Sequence, residues 1–188
     1  MRFAFVIGFV TSIAAGLYFW LTLRWAHDTY GALEVYAGIA RSSFYFGLAA
    51  FSCSYALRCG GPPERAVAMI ILAGLVVDPL LHQLFSLRVS RPDPTHILVD
   101  GGTLIAFVAI SLRALRLWTL WLSAFQLLSL GAHGAKAMNL AIHPVVYVAM
   151  AVIWAYGMLA LLIGATRYHQ RAVARGATRK SWRHSLPR

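Results

Sequence analysis

The chain reads as an all-α integral membrane protein: a small polytopic bundle of six transmembrane helices, or five if one weaker segment does not span. Three observations predict this. Hydrophobic residues make up 60% of the 188 and charged residues only 12%, and mean hydropathy is +0.66, values of the membrane class rather than the soluble one. The apolar residues gather into runs near the roughly 20 residues that cross about 30 Å of hydrocarbon. Between the runs stand Gly, Pro and basic residues, which end helices and mark loops. A chain of this length has room for about six short-looped helices and no second folded domain, so residues 1–166 form the bundle and 167–188 a basic cytoplasmic tail.

The first run, residues 3–23, follows Arg2 and contains small residues, as a signal peptide does. Its apolar core outruns the roughly 7 to 15 residues of a signal sequence, so it reads as a transmembrane helix. The second, about 37–57, is the weak one, because Arg41 interrupts its start and the uninterrupted core from Ser42 to Leu57 is short. Gly60, Gly61, Pro62 and Pro63 make the next turn, and the third run covers 66–87. "RPDP" at 91–94 makes another turn before the fourth run, 97–112. The fifth and sixth cover 117–135 and 144–165.

Orientation follows from Lys and Arg, which are retained on the cytoplasmic side. With six spans and both ends inside, 12 of the 17 basic residues fall inside and five outside. That bias is compatible with a bacterial inner membrane. Trp20, Trp25, Trp118 and Trp121 sit near expected boundaries, as interfacial aromatics do; Trp154, well inside the last run, reads as packing. Cys53 and Cys59, six apart, form neither a redox pair nor a disulfide framework and also read as packing.

Small residues recur every fourth position on the first run, at Ala4, Gly8, Ser12 and Gly16. Such ladders let helix backbones approach closely in lipid, so this is the expected helix-packing face. Ser43, Gly47, Ala50 and Ser54 make a similar strip on the second run, and Gly157, Ala160 and Gly164 one on the last.

The strongest feature is a set of ionisable residues at matching depth. Asp78 and His82 are four apart on the third run, with Asp78 roughly 18 Å from the inner end. Gln83 lies beside them, and Pro79 removes a backbone donor there. On the fourth run His96 and Asp100 are four apart, and on the fifth Gln126, Ser129, His133 and Lys136 form one strip. His143 opens the sixth from the same outer side. Charged groups in hydrocarbon turn inward and pair, so Asp78, His82, His96, Asp100, Gln126, His133, Lys136 and His143 form the expected buried polar network. Lys136 is the expected partner of one aspartate.

No complete metal motif is present, and no nucleophile sits at a recognisable turn, so no metal and no enzyme activity is expected. The sequence requires no cofactor; a haem or chlorin on His82, His133 or His143 is the weakest alternative. Arg167, Arg171, Arg175 and Arg179, with Lys180 and Arg183, form a basic cluster suited to anionic lipid heads or an acidic partner surface. Nucleic acid is a poor fit, because Trp182 alone makes no stacking array. The leading expectation is a non-catalytic accessory or assembly subunit that packs against other membrane subunits. The alternative is a small transporter or proton-conducting protein built on the Asp/His/Lys network, and a third is a pigment-binding redox subunit.

Overall fold

The structure, a computed structural model, describes residues 32–85, 94–114, 116–139, 141–176 and 182. The expected first span, with Ala4, Gly8, Ser12 and Gly16, lies outside them. Among the described residues the fold is all-helical: α1 Ala32–Cys59, α2 Pro62–Phe85, α3 Pro94–Arg113, α4 Trp118–Met138 and α5 Pro144–Ala174. An isolated antiparallel bridge joins Ala114 to Trp182.

Proline starts three of these helices, at Pro62, Pro94 and Pro144. At the first helical position the missing N–H costs nothing and the fixed φ is already helical. Gly60 and Gly61 permit the tight turn between α1 and α2. A Cβ on Gly60 would lie 2.4 Å from the Ala56 carbonyl oxygen, and one on Gly61 2.9 Å from both Glu64 Oε2 and His169 Cε1. At Gly60 no larger residue fits without moving backbone, and at Gly61 the Glu64 and His169 side chains would have to shift. Arg65 clamps the turn, its Nε donating to Gly60 O at 2.9 Å. At the other end of the chain, α5 stops two residues before Gly176, which takes φ 74°.

Two helices exceed their sequence-predicted lengths. α1 has 28 residues and passes through Arg41 uninterrupted, since arginine is a good helix former and its side chain is exposed. α5 has 31 residues and runs to Ala174, because nothing between Arg167 and Ala174 breaks a helix. The boundary expected between residues 166 and 167 therefore falls inside a continuous helix. Beyond it Tyr55 OH donates to Gln170 Oε1 at 2.5 Å, tying the extension back to α1.

Short connections make successive helices antiparallel, and the five close into a ring: α1 beside α2, then α3, α4 and α5, with α5 returning to α1. α2 and α5 also touch across the middle. The two halves of the ring differ in filling. Toward the end that carries Arg58, Arg65, Arg113 and Arg116, Cys53, Ala56, Val67, Phe107, Leu122, Met158 and Leu162 pack into one apolar cluster. Gly157 belongs to that packing, for a Cβ there would meet the Phe125 ring at 2.9 Å, and Phe125 in turn stacks on Trp154 at 5.6 Å. Cys53 is buried within it and Cys59 is half-buried, both as free thiols.

The outer surface is apolar. α3 and the stretch Val146–Ala174 are each long and apolar enough to cross a membrane, and only 17% of each qualifying window is buried. Phe44, Phe51, Met69, Ile105, Leu112 and Leu127 all point outward.

Candidate functional site

In the other half of the ring the helices stand around a cavity of about 350 Å³. Every helix contributes to its wall: Arg41 and Tyr45 from α1, Asp78 and Pro79 from α2, His96 and Asp100 from α3, Gln126 and His133 from α4, Tyr147 and Tyr156 from α5. The polar groups arrive here because helical periodicity points each strip inward. α4 makes this plain, since Gln126, Ser129, His133 and Lys136 are all buried.

Two aspartate–histidine pairs form the centre. Asp78 Oδ1 lies 2.6 Å from His96 Nδ1, and Asp100 Oδ2 lies 3.0 Å from His133 Nε2. The two imidazoles are nearly parallel, 17° apart, with centroids separated by 6.2 Å. The second pair has further hydrogen-bond partners. Ser129 Oγ donates to Asp100 Oδ2 at 3.3 Å and to Ala151 O at 2.9 Å, while Gln126 Nε2 donates to Asp100 O at 3.2 Å. Tyr147 OH lies 2.6 Å from His133 Nδ1. A carboxylate only accepts, so His133 carries its proton on Nε2; in the neutral ring Nδ1 then accepts from Tyr147. The His133 side chain is 6% exposed and that of His96 39%.

No family model matches the chain, nor does any curated protein or solved structure. The site's chemistry therefore rests on its own geometry.

The structure brings Asp78, His96, Asp100, Gln126 and His133 together around the cavity. His82 rides on α2, but its side chain and that of Gln83 lie outside the described residues. Lys136 pairs with neither Asp78 nor Asp100, the two aspartates the sequence reading offers it. It stands one turn beyond His133, within reach of the α4–α5 turn, where its ammonium donates to Ile142 O at 2.6 Å; histidines take both carboxylates instead. His143 precedes Pro144, which starts α5, so it sits in the turn and is exposed. Among the described residues no three His, Cys, Asp or Glu side chains are placed to hold a metal ion.

Of the basic cluster, Arg167, Arg171 and Arg175 are exposed on and just after the end of α5. Arg179, Lys180 and Arg183 lie outside the described residues. Sequence reasoning missed Tyr147, Tyr45 and Tyr156. Tyr147 had a signal, because it follows His143 by one turn on the α5 side. It also missed Glu64, fully buried with Oε2 lacking a hydrogen-bond partner where the Gly60–Gly61 turn presses against His169.

Proposed function

We propose that the chain is a multi-pass protein of a bacterial inner membrane, its C-terminus cytoplasmic, whose outer-half cavity takes up a small solute in exchange with protons. One observation carries this reading: two Asp–His pairs border a cavity walled by all five helices, inside a bundle whose outer surface is apolar. A buried helix of a soluble protein would hide most of its apolar residues. Here they face outward, as they do toward lipid. Ionisable groups kept at such depth are expensive and mark solute or proton paths. Apolar packing fills the basic half of the ring, so the cavity communicates with the opposite, outer side. The reading is non-enzymatic, with no step assigned beyond binding and proton exchange.

Purified protein in liposomes with an internal pH-sensitive dye tests it. Proton flux is expected in the wild type and is lost when Asp78→Asn and Asp100→Asn are combined. Absent wild-type flux, or flux that survives the double change, overturns the reading.

A second reading, an accessory subunit of a larger membrane complex, has its own support on α1. Ser43 and Gly47 are exposed, and nothing lies within 4 Å of a Cβ placed on Gly47. A small-residue face turned outward suits a neighbouring helix. Replacing Gly47 by Trp is expected to strip co-purifying membrane subunits while leaving the melting temperature unchanged; an unchanged set of subunits removes this reading.

A further inference from the structure

We infer that the cavity's ligand is a protonated amine with an apolar body, and that its N–H groups donate to Asp100 Oδ1. This rests on reading the cavity as a solute site and names the class of solute. Asp100 takes both of its side-chain bonds, from Ser129 and from His133, on Oδ2. Its other oxygen, Oδ1, is left to accept from a ligand. The Asp100 side chain lines the cavity and is 27% exposed, so a ligand can reach it.

Charge decides which kind of donor fits. His133 donates from Nε2 to Asp100 and accepts from Tyr147 on Nδ1, so the ring is neutral and the pair carries the carboxylate's negative charge. Ser129 and His133 are neutral donors, which ease that charge without cancelling it. An ionised carboxylate away from bulk water is costly until a cation joins it. Asp78 with His96 is net neutral or negative while its carboxylate is ionised, so that pair does not repel a cation. Arg41, the remaining formal charge among the described wall residues, has an exposed side chain; its carbonyl accepts from Tyr156 OH at 3.3 Å. A neutral alcohol would bond to Oδ1 but leave the charge standing, and an anion would add to it. A quaternary ammonium would cancel the charge but has no N–H to give. A protonated amine does both, through charge-assisted bonds roughly twice as strong as neutral ones.

The rest of the wall suits an apolar body. Tyr45 and Tyr156 meet edge to face at 5.5 Å, and Phe46 and Phe107 continue the wall with Ile70 and Leu75. Faces of such rings attract cations, most strongly away from water, and the aliphatic side chains cover the remainder of the ligand. The amine brings its own proton, so none leaves the protein as it binds. The proton of the exchange proposed above loads only once the amine has left.

Calorimetry near neutral pH on the detergent-solubilised full chain tests the inference with four probes of similar shape: phenethylamine, phenethyl alcohol, phenylpropionate and phenethyltrimethylammonium. Phenethylamine is expected to bind at least about tenfold more tightly than the alcohol or the anion, and more tightly than the trimethyl cation. Its heat is expected to be the same in two buffers of different protonation enthalpy, because no proton is released. Asp100→Asn removes the preference for amine over alcohol and keeps the alcohol's own binding, a split that misfolding cannot produce. The comparison of probes on the wild type stands even if that variant fails to fold. Absent amine binding, equal binding of the alcohol or of the trimethyl cation, a proton released per amine, or an amine preference that survives Asp100→Asn overturns the inference. Amine selectivity in a protein that shows no liposome flux upholds it and removes the transport reading. Flux without amine preference does the reverse.

Discussion

Both ring nitrogens of His133 are engaged, with Asp100 and with Tyr147. Replacing Asp100 by Leu leaves a buried donor without its acceptor, a loss of about 1–3 kcal/mol. Once His133 is itself Leu, the same change at Asp100 costs less, because the orphaned donor is gone. Thermal melts of the two single variants and the double variant are expected to show a coupling of about 0.5–3 kcal/mol; strictly additive losses would mean the contact does not matter to stability. Tyr147→Phe removes a hydroxyl but keeps the ring, so stability is expected to fall by only about 0.5–1.5 kcal/mol. A larger drop in its melt would locate a second role for that hydroxyl. Much of this arrangement was legible beforehand, as spacings of three and four point Gln126, Ser129 and His133 to one side. Which aspartate meets which histidine was not, because pairing depends on the relative rotation and height of two helices, and no single helix's periodicity records that. Lys136 shows the limit: its charge suggested Asp78 or Asp100, but one extra turn carries it to the Ile142 carbonyl in the α4–α5 turn.

Among the described helices, α4 and α5 share the most extensive contact. Gly157→Ala forces a Cβ against Phe125 and is expected to cost about 1–3 kcal/mol by overpacking. Gly164, on the same helix, has nothing within 4 Å of its missing Cβ. Gly164→Ala is therefore expected to gain up to about 1 kcal/mol from helix propensity. Comparing the two melts checks the pairing; equal effects would show that α5 presents a different face to α4. Element starts were readable because Pro62, Pro94 and Pro144 announce them. The ends were less so. α1 and α5 run past the expected limits since an apolar run measures what lipid could cover, while a helix continues as long as its backbone bonds and propensities allow. Of the small-residue strip on α5, only Gly157 accepts a neighbour: a Cβ at Gly164 meets nothing and Ala160 is exposed. A periodic strip identifies a face but not what covers it.

For the molecule as a whole, the ends of the bundle can be told apart by labelling. With Cys53 and Cys59 changed to Ala, a single cysteine at Gly176 is expected to react with an impermeant maleimide only in inverted membrane vesicles, and one at Ala141 only in right-side-out vesicles. Reversed labelling overturns the orientation that places the cavity outside. An all-helical bundle was legible from composition alone, whereas a ring was not, because closure depends on which distant helices meet. Five antiparallel steps cannot alternate evenly around a circle, so α1 and α5 run side by side in the same direction. That seam is bridged by contacts between residues 115 positions apart in the chain, Tyr55 with Gln170 and Tyr156 with Arg41. During synthesis α1 emerges long before α5 exists. Of its two neighbours among the described helices, one is therefore missing while α2, α3 and α4 are being made, and the loop-closure entropy of the seam falls due at the end. The first of these helices to be synthesised is thus the last to be fully enclosed, and a chain stopped short of α5 would display the cavity as an open trough.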